Sequence, residues 1–179
     1  MKINKKEILE IFENAFTYIV VFAMFVYGIG KMVQFDGALE TNKSVSEMTG
    51  QQLMWAFYGY SKPFVIVLGI MEITGGFLML VRRTRILGCF FITTILVNVI
   101  IQDIFYGVNV GALRAAVIYQ TLIFVILWFN KEKIIQCFKI LLSVTSFEGF
   151  KKKFFVKIIL SIILFIILRI LEFYVTTKW

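Results

Sequence analysis

The chain has 179 residues, 60% of them hydrophobic, a mean hydropathy of +0.87 and a formal charge of +8. Its apolar residues come in long runs rather than in alternation, which excludes an ordinary soluble domain. The pattern predicts an all-α membrane protein, because a backbone in lipid must satisfy its hydrogen bonds within each helix. There is no histidine, which argues against bis-His haem, His-containing zinc sites and imidazole acid–base catalysis, and no metal site is expected. Cys89 and Cys137 form no C-x-x-C pair, so a thiol relay is not expected either, and both are expected as free thiols.

Five segments are long enough to span a bilayer, which takes about 20 residues each. They are Asn14–Phe35, Pro63–Val81, Ile86–Tyr106, Gly111–Phe129 and Phe154–Val175. Residues 1–179 read as one membrane domain: a four-helix transmembrane bundle over 14–130, a basic amphipathic linker over 131–153, and a fifth C-terminal transmembrane helix over 154–175. No cleavable signal peptide is expected, because the first run is long and lacks a small-residue cleavage pattern.

In chain order, the first stretch is amphipathic. Ile8, Leu9, Phe12 and Phe16 share a face that Glu7, Glu10 and Glu13 avoid, as in a helix lying along the membrane surface. The first span carries Tyr27, Lys31 and Gln34 on one face. The connection Asp36–Lys62 is too aromatic for disorder, and Trp55, Phe57, Tyr58 and Tyr60 predict a short helix or hairpin over the bundle mouth, or an aromatic belt. Ser61-Lys62-Pro63 is a helix start. On the second span Gly69, Glu72 and Gly76 share a face, where the glycines let a neighbouring helix come close to the carboxylate. On the third, Thr94, Asn98 and Gln102 are aligned, with Asp103 beside them. The fourth carries Arg114 and Gln120. The linker repeats the amphipathic pattern with Ile134, Ile135, Phe138, Leu141 and Leu142 beside Lys133 and Lys139. On the fifth span Arg169 and Glu172 are spaced to pair with each other or to reach the interface.

The basic residues set the expected orientation. Lys2, Lys5, Lys6, Arg82, Arg83, Arg85, Lys131, Lys133, Lys139, Lys151, Lys152, Lys153 and Lys157 fall on one side, against Lys43, Lys62 and Lys178 on the other. This places the N-terminus in the cytoplasm and the C-terminus outside a cell (inner) membrane. The positive charge is thus a topology signal that also suits anionic headgroups, and no nucleic-acid partner is expected.

With that orientation and a rise of about 1.5 Å per residue, Lys31, Asp103 and Arg114 fall roughly 10 Å to the outer side of the midplane. Glu72, Asn98 and Gln120 fall near the midplane itself. The expected cluster is therefore Lys31, Glu72, Asp103 and Arg114, charge-balanced, with Lys31 paired to Asp103 and Glu72 one layer deeper. Tyr27, Gln34, Asn98, Gln102 and Gln120 line the same pocket in this reading, although Gln34 and Gln120 also suit plain interhelical hydrogen bonds. Such a cluster is either a structural network or a binding site.

The fragments "YGIGKMVQF", "LMWAFYGYS", "GIMEITGGFLMLVRRTRILG" and "NVIIQDIFYGVNV", in this order and spacing, resemble the DoxX-like family of small polytopic membrane proteins over about Tyr18 to Asn130. The resemblance implies a four-helix bundle with a polar pocket between its helices. It also implies a link to membrane redox systems, including quinone-linked ones, or to assembly chaperones. Lacking histidines and paired cysteines, this chain would serve such a system as a quinone- or lipid-binding or anchoring subunit. The residues themselves call for no cofactor. The expected function is an accessory or binding protein, with a protein partner at the outer loop or fifth helix. A redox-enzyme subunit and a small proton-coupled transporter are the alternatives.

Overall fold

The computed structural model describes residues 4–38, 42–143 and 152–177. Lys2, Lys151, Lys178 and the linker residues 144–151 lie outside the described residues. The protein is an all-α membrane protein. Its described helices are α1 (Lys5–Gln34), α2 (Gly50–Tyr60), α3 (Lys62–Leu80), α4 (Arg85–Tyr106), α5 (Val110–Phe129), α6 (Lys131–Leu141) and α7 (Lys152–Thr177), with a short 3₁₀ turn at Val45–Glu47. Five of them, α1, α3, α4, α5 and α7, are long and apolar enough to cross a membrane.

The chain separates into two units, Met1–Gln136 and Cys137–Trp179, with the division inside α6. The sequence reading has one domain with a core ending at Asn130. In the first unit α1 packs on α3 and α5, α4 packs on α3 and α5, and α2 contacts α3 and α4. The apolar core fills one half of this bundle. Val20 and Met24 of α1, Met79 of α3, Cys89, Ile92 and Leu96 of α4, and Ile123 and Ile126 of α5 are almost wholly buried together. Most lie toward the end that carries the Arg82–Thr84 turn, with Met24 and Leu96 at the boundary with the cavity. The other half, under α2, is hollow.

Local chemistry explains the helix limits. Asn4 opens α1 with a capping box, its Oδ1 accepting from the Glu7 amide at 2.9 Å while Glu7 Oε2 accepts from the Asn4 amide at 2.8 Å. Thr49 and Gln52 do the same for α2. Pro63 sits in the first turn of α3, as expected, but the Ser61 hydroxyl makes no capping bond. Gly107 ends α4 at a φ of +57°, a left-handed conformation that disfavours side chains with a Cβ.

One expectation is corrected here. The amphipathic segment 4–16 is not a separate surface helix; it forms the first turns of α1, which runs unbroken for 30 residues. The reason is electrostatic. Arg82 donates to Glu10 Oε1 at 2.8 Å and Arg85 donates to Glu13 Oε1 at 2.9 Å, fastening the start of α1 to the α3–α4 turn. Arg85 is 5% exposed.

In the second unit, α7 is apolar on every side and its described side chains are exposed. A helix with no polar face suits a lipid environment. Arg169 pairs with Glu172 one turn away. The α6 helix buries none of its residues; Ile135, Phe138 and Leu141 stay exposed, in keeping with the amphipathic reading of the linker.

Candidate functional site

The hollow half of the first unit is a cavity of about 520 Å³, within the range of small-molecule sites. Its wall is drawn from the last turns of α1, from α2, from the first half of α3, from the second half of α4 and from the start of α5. Met24, Leu68, Met71 and Leu96 make it largely apolar, and Lys31, Glu72, Asn98, Gln102 and Asp103 supply a polar stripe.

Glycines create the central feature. Gly28 and Gly69 face each other where α1 meets α3. A Cβ on Gly28 would stand 2.7 Å from the Gly69 carbonyl oxygen, and one on Gly69 would stand 2.5 Å from that of Gly28. This close approach brings Lys31, one turn after Gly28, against Glu72, one turn after Gly69. The Lys31 ammonium lies 3.2 Å from Glu72 Oε1, with the side chains 15% and 5% exposed. It also donates to Gln34 Oε1 at 3.4 Å and stands 6.0 Å from the Phe35 ring centre.

The expected partner of Lys31 is thus corrected. It pairs with Glu72 across the glycine contact, and among the described residues no ion pair joins it to Asp103. Depth along a helix axis is set by residue count, but the partner is set by which two helices touch. Asp103 still reaches the cavity wall and is 8% exposed, yet it has no ion-pair or hydrogen-bond partner among the described residues. Its Oδ2 is buried and unpartnered, and so is Oε2 of Glu72.

Arg114 does not join the cluster. Its side chain is exposed and it does not line the cavity, because its position on α5 faces away from the other charges. Gln120 is also displaced from the pocket. Its Nε2 donates to Thr93 Oγ1 at 3.2 Å, tying α5 to α4 on the closed side. Tyr27, Gln34, Asn98 and Gln102 do line the cavity, and Gln102 Nε2 donates to Asn98 Oδ1.

The α2 helix covers the mouth. Tyr58 donates its phenol proton to Gln102 Oε1 at 2.8 Å, joining α2 to α4. Phe35 is stacked on Tyr58 at 5.0 Å and edge-on to Trp55 at 5.2 Å. Burial raises the Tyr58 pKa above 10.0, so the phenol remains a donor at neutral pH. Tyr60 of the same helix points outward, whereas Phe57, though largely exposed, also lines the cavity and packs edge-on to Tyr58 and Phe64.

Sequence reasoning missed two features whose signals were present. Glu10 and Glu13 have the same three-residue spacing as Arg82 and Arg85, which is the register of the double ion pair. Thr49 with Gln52 has the T-x-x-Q spacing of a capping box.

No family model matches the chain, and no solved structure matches it. Among curated proteins it is similar to the uncharacterized protein YwoB of Bacillus subtilis (strain 168), at 28% identity over 137 residues, which covers 75% of this chain and 87% of that one.

Proposed function

We propose that this is a membrane-embedded binding protein that holds a small amphiphilic molecule in the cavity beneath α2. One observation carries the reading. The bundle is densely packed at one end and open at the other, and the open end has an apolar wall with a few convergent polar groups. A cavity this large forgoes packing that the same helices achieve at the other end, which is the usual mark of a site built for an occupant.

In this reading the chain works as an accessory subunit or assembly factor of a larger membrane system. The aromatic, exposed face of α2 and the apolar α7 are the surfaces for partners. The basic asymmetry supports a cytoplasmic N-terminus and a cavity that opens outward. The order of its fragments supports kinship with DoxX-like proteins. A quinone is one amphiphile of suitable size, but no histidine or cysteine pair accompanies the cavity to relay electrons. Proton-coupled transport gains no support from the described helices, none of which is broken within its span.

Native mass spectrometry of the full chain released gently from membranes tests the proposal. Wild-type protein is expected to carry a co-purifying small molecule. Ala112→Trp, which places a large ring on the cavity wall, is expected to remain folded and lose it. Equal occupancy in both proteins would place the molecule elsewhere, and an empty wild type would remove the support.

A further inference from the structure

The charged groups around the cavity do not balance. Lys31 is the one cationic side chain on the wall among the described residues, and it faces two carboxylates, Glu72 and Asp103. Arg114, the cation that would have neutralised the set, faces away. The Lys31 ammonium meets Glu72 Oε1 and Gln34 Oε1, the Gln102 amide donates to Asn98, and the Tyr58 hydroxyl donates to Gln102, so none of these bonds reaches Glu72 Oε2 or Asp103 Oδ2. Two carboxylate oxygens, Glu72 Oε2 and Asp103 Oδ2, are buried and meet no donor among the described residues. A buried carboxylate oxygen without a donor is costly, and an occupant that brings both a proton donor and positive charge would relieve that cost.

We propose that the cavity takes a protonated amine bearing an apolar tail, its ammonium donating to the free oxygens of Glu72 and Asp103. This rests on the reading of the cavity as a binding site and names the chemical class of its occupant. Aromatic faces suit the cation: Trp55 and Tyr58 from α2, Tyr27 from α1 and Tyr119 from α5 line the same space. Met24, Leu68, Met71 and Leu96 receive the tail. Lys31 then has two roles. It holds Glu72 in place by Oε1, and its charge prevents the pair of carboxylates from attracting small inorganic cations as strongly as an unopposed pair would. The described residues include no group of three or more His, Cys, Asp or Glu side chains that could hold a metal ion.

Trp55 provides the readout. Full-length protein carrying Trp128→Phe and Trp179→Phe, reconstituted in nanodiscs of zwitterionic lipid, fluoresces from Trp55 alone. It is titrated at pH 7 with dodecylamine, dodecanol and dodecanoate, each referred to its concentration in the bilayer. The amine is expected to change Trp55 emission at concentrations about tenfold or more below those of the alcohol, with the carboxylate weakest. Asp103→Asn is expected to fold, since Asp103 has no partner to lose, and to bring the amine to the level of the alcohol. Equal response to amine and alcohol in the wild type would overturn the cationic assignment and leave the cavity as a site for neutral amphiphiles. Preference for the carboxylate would overturn it too. No response to any probe would remove the binding reading along with it. The comparison among probes in the wild type decides the matter even if the variant does not fold.

Discussion

Lys31 and Glu72 show what a charged side chain in an apolar helix requires. Each is deeply placed, and each is acceptable because the other lies 3.2 Å away. Removing one partner leaves an uncompensated buried charge, at a cost of about 3–5 kcal/mol. Lys31→Met is therefore expected to lower thermal stability sharply, and Lys31→Met with Glu72→Gln to recover most of the loss. Unfolding followed by circular dichroism in the same detergent checks this; equal stability of the single variant and wild type would argue against the pair. Tyr58 adds a pH dependence. Its folded pKa is raised above the unfolded value of 10.0, so the stability it contributes is complete below pH 10 and is lost as pH rises through the folded value. Tyr58→Phe is expected to flatten that alkaline loss in a pH series of unfolding measurements. The presence of Lys31, Glu72 and Asp103 at one level was legible in the sequence, because helical rise converts residue count to depth. Which acid meets Lys31 was not legible. It depends on the rotation of α1 against α3, fixed by the contact of Gly28 with Gly69.

The contact between elements is where those glycines act. Gly28→Leu or Gly69→Leu is expected to force α1 and α3 apart, separating Lys31 from Glu72 and destabilising the bundle by several kcal/mol, about what overpacking a tight core costs or more. Gly30→Ala, where a Cβ meets nothing within 4 Å, is the control and should be neutral or slightly stabilising. Loss of stability in the control comparable to that of Gly69→Leu would contradict the account. At the other end the two ion pairs should differ. Arg85→Ala strands Glu13 in a site where the pair is 6% and 18% exposed, for a loss of about 3–5 kcal/mol. Arg82→Ala, in a pair 72% and 42% exposed, should cost under about 1 kcal/mol. Double-mutant cycles with Glu13→Gln and Glu10→Gln separate the two. Hydropathy made α3, α4 and α5 readable to within a residue or two, since each is a plain apolar run. The start of α1 was misread because its acidic residues look like the polar face of a surface helix until their partners, 72 residues away, are seen.

For the whole molecule, the asymmetry of basic residues makes orientation a matter of experiment. Val45→Cys, in the exposed 3₁₀ turn, is expected to react with a membrane-impermeant maleimide on intact cells. The native Cys137, exposed on α6, is expected to react only after permeabilisation, and the buried Cys89 in neither case. Reaction of Cys137 from outside would invert the topology. The division of the first unit into a packed half and a hollow half is the feature on which the proposed binding role rests, and no periodicity in the sequence announces it. Apolar residues lining a void and apolar residues filling a core have the same pattern; only packing distinguishes them. Photolabelling tests the central claim most directly. Reconstituted full-length protein is exposed to a photoreactive alkylamine at low occupancy, and the modified residues are mapped by mass spectrometry. The account predicts label on Met24, Met54, Met71 and Tyr119 of the cavity wall, reduced by Ala112→Trp. Label confined to outward-facing positions such as Phe22, Ile29 and Phe105, and unaffected by that substitution, would contradict it.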